Sequence, residues 1–146
     1  MRDMVLTANL IAWFESFAPH AYWDVNAWRI GFGSDTRTAA QIRVKRGDVT
    51  TRAEALANLA LRIPQYEATI AKQIGADRWN ELPANAQAAL ASFAYNYGSL
   101  TPTLCVKCEA GELSAIAEAL AERAVDNSGV NAVRRRTEAA FVASVE

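Results

Sequence analysis

Glu15, then eight residues, then Asp24, followed by Trp28-Arg29-Ile30-Gly31-Phe32-Gly33: this stretch of the 146-residue chain decides how the rest is read. From residue 4 to 17 the only polar side chains besides Glu15 are Thr7, Asn9 and Ser16. At about 100° per residue, Leu6, Leu10, Trp13, Phe14 and Phe17 form one helical stripe. Met4, Ala8, Ile11 and Glu15 form a second on the opposite side. A helix apolar on both sides is expected to be buried, which takes Glu15 out of water at the helix end. Desolvation favours the neutral carboxyl, the form a general acid needs near neutral pH. Asp24, in a polar stretch beside Asn26, is expected to stay ionised. Two carboxylates held in different protonation states point to glycoside hydrolysis.

Outward from this pair the chain alternates short signals with long helical ones. Pro19 should end the first helix, because the residue before a proline is pushed out of the α region. Residues 21–23 and 28–32 read as two strands around a turn at 24–27, with Gly31 and Gly33 suited to close backbone approach or positive φ. The polar segment 33–48 is expected to add a third strand or a loop near Ile42 and Val44. Thr51 followed by Glu54 is a capping-box signature and starts a long helix. Pro64 should break or kink it near Arg62, after which Tyr66, Ile70 and Ile74 restore one stripe up to Gly75.

After Leu82-Pro83, the positions Ala86, Leu90, Phe93 and Tyr97 mark a buried helix face capped by Gly98. A short helix over 104–110 is stopped by Gly111, and Leu113, Ile116, Ala117 and Leu120 mark another. Residues 126–129 read as a turn, and Asn131 caps a last helix carrying Val133, Thr137, Ala140 and Phe141. The class is α+β, mostly helical, with one small antiparallel hairpin or sheet lobe near the N-terminus. The chain reads as one domain, 1–146, with a small lobe over about 18–50. The long helix joins that lobe to a helical lobe over about 76–146, packed with the helix at 3–18.

The sequence resembles the phage lysozyme (endolysin) family, the muramidases with a small helical fold. That family carries a helical Glu, eight residues, an Asp on a hairpin, then Thr-Ile-Gly-aromatic-Gly. Glu15 and Asp24 keep the gap, and Ile30-Gly31-Phe32-Gly33 keeps the glycine pair. The run Gln87-Ala88-Ala89-Leu90-Ala91-Ser92-Phe93-Ala94-Tyr95-Asn96-Tyr97-Gly98 is similar to the family's core helix. Asn131-Ala132-Val133-Arg134-Arg135-Arg136-Thr137-Glu138 is similar to its closing element. Each piece is weakly specific alone; three in order at compatible distances are strong.

The resemblance implies a lysozyme-like fold and a peptidoglycan muramidase cutting between N-acetylmuramic acid and N-acetylglucosamine. Glu15 and Asp24 would be the catalytic pair, with Phe32, Asn96 and Tyr97 in the sugar groove. The family's threonine, which helps place the attacking water, belongs directly before Ile30, where this chain has Arg29. The loop after Asp24 is also one residue shorter than usual. A matching register points Arg29 into the cleft near Asp24, unless it pairs elsewhere, for example with Asp35. A hydroxyl from Ser34-Asp35-Thr36 is then the substitute for the threonine, with Thr36 preferred over Ser34. The same departure keeps open a lytic transglycosylase giving 1,6-anhydro products, or a catalytically weak wall-binding module.

Composition excludes several other classes. Net charge is −1, without the basic surplus of nucleic-acid binders, so no nucleic-acid partner is expected. Three successive arginines, Arg134 to Arg136, point about 100° apart on a helix and cannot form one patch. At least one is expected to pack inward against a carboxylate, and Glu15 is a candidate.

Cys105 and Cys108 on one helix would have β-carbons about 5–6 Å apart, beyond usual disulfide reach. With His20 the single histidine, a zinc site lacks a second ligand pair. The two cysteines read as reduced structural thiols, and neither metal nor cofactor is expected.

The apolar run 4–14 is too short to span a bilayer, and only Arg2 precedes it as a basic residue. No signal peptide is expected. The resemblance then implies a monomer made in the host bacterial cytoplasm. It would reach the periplasmic wall through a separate holin-like pore, by lysis or within a particle.

Overall fold

A computed structural model describes residues 2–144; Met1, Val145 and Glu146, which the span 1–146 includes, lie outside it. Helix α1 (Met4–Glu15) starts at Asp3, whose carboxylate accepts the Leu6 amide at 2.9 Å. Ser16, at φ 51°, turns the chain out before Pro19 is reached, so Glu15 is the last helical residue. Strands β1 (Ala18–Asp24) and β2 (Ala27–Gly31) pair antiparallel, with Trp23 opposite Trp28, Tyr22 opposite Arg29 and Asp24 opposite Ala27. The turn between them is Val25-Asn26.

Two further strands, β3 (Thr36–Arg37) and β4 (Ile42–Arg43), form a separate two-stranded sheet where one extra strand or a loop was expected. Isolated bridges from Ile30 to Ser34 and from His20 to Val49 tie the hairpin to the chain on either side of this sheet.

The long helix α2 (Arg52–Ile74) carries the expected capping box at Thr51 and Glu54. It does not break at Pro64. That ring lies on the exposed side of the helix, where water can take the carbonyl a proline leaves without its donor. Helix α3 (Ala76–Glu81), absent from the sequence reading, follows at once and buries Trp79. Helix α4 (Ala84–Tyr97) is apolar nearly all round and ends at Gly98. Helices α5 (Pro102–Ala110) and α6 (Leu113–Glu122), a segment of 3₁₀ turns (Arg123–Gly129) interrupted by non-helical backbone at Asp126, Asn127 and Ser128, and α7 (Ala132–Ala143) wrap it. Asn131 precedes α7 as expected, but its side chain makes no capping bond.

The buried side chains form two cores. The larger gathers Ile70, Ile74, Trp79, Leu90, Phe93, Leu104, Ile116, Leu120 and Val142 around α4. The smaller joins Ile11 and Ala12 of α1 to Phe32 and to Ala55, Leu59 and Ile63 of α2. Helix α1 packs on α4 and α2 and meets Phe32, just past the hairpin.

It is not buried on both sides: Trp13 is 79% exposed and Val5 stands in water with it. Phe17, counted in one stripe, lies beyond the helix end, and periodicity does not say that α4 and α2 leave one flank open.

Candidate active site

Glu15 ends α1 at the junction of the two lobes. Its carboxyl is not isolated, as the apolar helix suggests, but paired. Arg134 of α7 donates from Nη1 to Glu15 Oε1 at 2.5 Å. That arginine is itself held on all sides. Its Nε reaches Ser92 Oγ at 3.1 Å, its Nη2 reaches the Ser92 carbonyl at 2.9 Å, and Glu138 Oε1 lies 3.3 Å from Nε. Glu138 also accepts from Ser92 Oγ at 2.7 Å and from Arg135 at 2.8 Å. Burial pushes the Glu138 carboxyl up, against the pull of Arg135 and Arg134. Two arginines and two carboxylates balance here, and of the four groups Glu15 is the one that reaches the surface.

Asp24 sits at the end of β1, one residue before the hairpin tip. Alternation along the strand puts Tyr22 and Asp24 on the same side, and cross-strand pairing adds Arg29. Arg29 Nε lies 3.1 Å from Asp24 Oδ2, while its Nη1 donates to the Gly33 carbonyl at 3.2 Å. The side chains stay 28% and 49% exposed, respectively. The Nε–H is not aimed at the carboxylate: this buried nitrogen has no hydrogen-bond partner. Burial, followed by the charge of Asp24, raises the Tyr22 phenol above its usual range, with Arg29 pulling down and Glu15 pushing up. One phenol therefore feels both carboxylates and the arginine.

Gly33 joins the two halves. A β-carbon there would stand 3.0 Å from Glu15 Oε2, and φ is +77°. The positive φ favours glycine, and a side chain there would crowd the Glu15 carboxylate. Gly31, at φ +66°, would place a β-carbon 2.9 Å from that of Ala55, so the end of β2 can sit tight on α2.

These residues line one open cleft of about 400 Å³, together with Tyr66, Tyr95, Asn96, Tyr97 and Gly98 from the helical side. Tyr97 is 42% exposed, stacks on Phe93 at 4.5 Å and donates its hydroxyl to Asp126. The cleft thus brings together Glu15, Asp24, Arg29, Asn96 and Tyr97. Arg29 takes Asp24 as its partner; Asp35 belongs to Arg62, at 2.9 Å.

Three expected site residues lie elsewhere. Phe32 is buried in the small core, and its carbonyl accepts from Tyr95 at 2.8 Å, so its ring offers no surface to a sugar. Ser34 is buried, donating to the Thr36 carbonyl and accepting from Asn58. The Thr36 hydroxyl bonds Gln41 and Arg62 at 2.8 and 2.9 Å. Both hydroxyls face α2 behind the hairpin, where their bonds fix the small sheet. A more enclosed, mostly apolar cavity of about 330 Å³ lies on that side, bounded by Ser34, Asn58 and Leu59, and it contains neither Glu15 nor Asp24.

A family model for phage lysozyme matches residues 12–139. The chain belongs to the phage lysozyme family. It is a lysozyme-type glycoside hydrolase of cell-wall peptidoglycan. An endolysin from the Escherichia coli O157:H7 phage FAHEc1 is 25% identical, with TM-score 0.76 over 95% of this chain and 91% of that one. A P22 lysozyme mutant is 21% identical, with TM-score 0.78 over 99% of both chains. The muramidase domain of SpmX from Asticaccaulis excentricus is 19% identical, with TM-score 0.76 over 99% of this chain and 100% of that domain. These last two likenesses concern the fold. No curated protein sequence matches the chain at a significant level.

Within this lysozyme, Tyr22, Tyr66 and Tyr95 are cleft residues that the sequence reading did not assign to the site. For Tyr22 a signal existed, since i and i+2 on a strand share a face. The sequence offers the cluster Arg134–Arg136 as a source of a partner for Glu15 without saying which, and the roles of Ser92 and Glu138 are not legible in it. Cys105 and Cys108 lie on α5 as free thiols, Cys108 wholly buried in the larger core. Burial pushes its thiol up to about 12, far from a reactive thiolate.

Proposed function

We propose that this lysozyme is a muramidase, hydrolysing the β-1,4 bond between N-acetylmuramic acid and N-acetylglucosamine. The observation that carries the reading is a single cleft bearing Glu15 on a rigid helix end and Asp24 on the facing hairpin. Glu15 protonates the glycosidic oxygen as it leaves, and Arg134 fixes the rotamer from which it does so. Asp24 stabilises the oxocarbenium-like charge and orients a water on the opposite face of the ring. Asn96 and Tyr97 contact the sugars from the helical side. No step uses a metal or cofactor, and no cluster of three potential metal-binding side chains occurs among the described residues.

One observation favours a second reading. Arg29 compensates the charge of Asp24, and a transglycosylase, in which the muramic acid 6-hydroxyl attacks in place of water, has less need of that carboxylate. Mass spectrometry of digested peptidoglycan tests the choice. The muramidase yields reducing N-acetylmuramic ends; 1,6-anhydro ends as the main product overturn it.

No helix among the described residues is long and apolar enough to cross a membrane. Family membership supports synthesis in the host bacterial cytoplasm, delivery through a separate holin-like pore or a particle, and action on the periplasmic wall as a monomer.

A further inference from the structure

Arg29 lines the cleft with a guanidinium that is incompletely bonded. It lies beside Asp24 at 3.1 Å without a directed hydrogen bond, and its Nε–H is buried and unpartnered. Only Nη1 is anchored, on the carbonyl of Gly33 at 3.2 Å. A guanidinium presents five donors in a planar fork suited to carboxylates. This fork meets the one carboxylate beside it edge-wise and badly. The contrast with Arg134 is internal to the molecule, since every nitrogen of that side chain has a directed bond.

The substrate has what Arg29 lacks. N-acetylmuramic acid differs from N-acetylglucosamine by a lactyl ether that ends in a carboxyl group. In peptide-free strands that group is a free carboxylate. In peptide-bearing strands it is amide-linked, and the stem peptide supplies carboxylates instead.

We propose that Arg29 is a specificity-determining residue that exchanges Asp24 for a carboxylate borne by the muramic acid unit. The exchange couples recognition to chemistry. In the free cleft Arg29 compensates Asp24; when an anionic sugar unit binds, the fork turns to the substrate and leaves Asp24 uncompensated beside the developing positive charge. A neutral glycan of the same backbone, such as a chito-oligosaccharide, offers nothing to draw Arg29 away. It fills the cleft with Asp24 still masked. This inference rests on the hydrolase reading above, because Asp24 matters through the charge it presents.

The experiment compares the parent with Arg29→Met, which keeps the aliphatic stem and removes the fork. Three substrates are used: chitohexaose, peptide-free peptidoglycan strands and peptide-bearing strands. The parent should prefer an anionic strand. Arg29→Met should lower kcat/KM on it by about tenfold or more, the effect of one charge-assisted hydrogen bond. The same variant should raise turnover of chitohexaose, because Asp24 is then permanently free. Loss confined to peptide-free strands assigns the lactyl carboxylate; loss confined to peptide-bearing strands assigns the stem peptide.

Arg29→Lys, which keeps the charge without the fork, should recover part of the preference. A parallel fall on all three substrates, or an unchanged preference, overturns the proposal. A parent inactive on every peptidoglycan substrate overturns the hydrolase reading instead. Should Arg29→Met be too slow to assay, calorimetric titration of peptide-free strands into Glu15→Gln and Glu15→Gln/Arg29→Met decides. Equal affinity counts against the exchange, and weakened affinity in the double variant supports it.

Discussion

Each carboxylate of the cleft has its own arginine, and the two pairs are built in opposite ways. On the helical side, Arg134 is 5% exposed, wedged between Ser92 and Glu138, and presents Glu15 from a packed interior. On the hairpin side, Arg29 and Asp24 share a two-stranded ribbon whose tip residue, Val25, has φ 52°, a conformation rare for a β-branched side chain. Every nitrogen of Arg134 makes a directed bond; Arg29 makes one, to the Gly33 carbonyl, and meets Asp24 by proximity. A general acid must deliver a proton along one line, whereas a charge stabiliser can act from a range of positions. The firm half therefore suits Glu15 and the yielding half suits Asp24.

The largest expected effect breaks the chemistry while leaving both halves intact. Glu15→Gln keeps the shape and cannot donate the proton, so turnover of peptidoglycan should fall by at least the roughly 10²–10⁴-fold credited to general acids. A variant within a few-fold of the parent in a turbidity assay removes Glu15 from its role.

Next in size is the buried network. Glu138→Ala leaves Arg134 and Arg135 without their shared anion, and breaking a buried pair costs about 3–5 kcal/mol. Urea unfolding should show it as a clear drop in midpoint, and a change of under ~1 kcal/mol would mean the network is dispensable.

A third acid–arginine pair sharpens the comparison from between the extremes. Burial pushes Asp35 up, but the hydrogen bond and charge of Arg62 outweigh it, and the carboxyl lies below its ordinary 3.8. The folded chain thus releases this proton more readily than the unfolded one. The associated stability is present above the ordinary value and is lost as pH falls through the lowered one. Asp35→Asn should be less stable than the parent at neutral pH by roughly 1–2 kcal/mol. The gap should narrow in acid; a gap that widens there contradicts the assignment.

The smallest effect belongs to the hairpin. Arg29→Met should change unfolding free energy by less than about 1 kcal/mol, as for other exposed pairs. A loss as large as that of Glu138→Ala would make the two halves alike and remove the basis for an arginine that moves.

Much of this architecture was written locally. The Thr51–Glu54 box, the Gly98 and Gly111 stops, the Tyr66-Ile70-Ile74 stripe and the hairpin around Asp24 each follow from residues within one or two turns of each other. The eight-residue gap between Glu15 and Asp24 is likewise a matter of chain spacing; their presence in one cleft depends on the helices that close its other side. Packing decided the rest. Arg134 reaches Glu15 across 119 positions, and no periodicity could choose it over Arg135, which turns under Phe93, or Arg136, which stays in water.

Pro64 was misjudged because a helix break depends on which side the ring faces. The resemblance places Phe32 in the groove, but the positive φ of Gly31 turns the chain just before it, and its ring packs with Ile11, Leu59 and Ile63. Ser34 and Thr36 are close to Arg29 in the chain, but Asn58 and Arg62 of α2 hold them in a polar network behind the hairpin. Sequence determines which residues share a face; only the assembled fold determines what that face touches, because partners far apart in the chain are chosen by the volume and charge they must jointly satisfy.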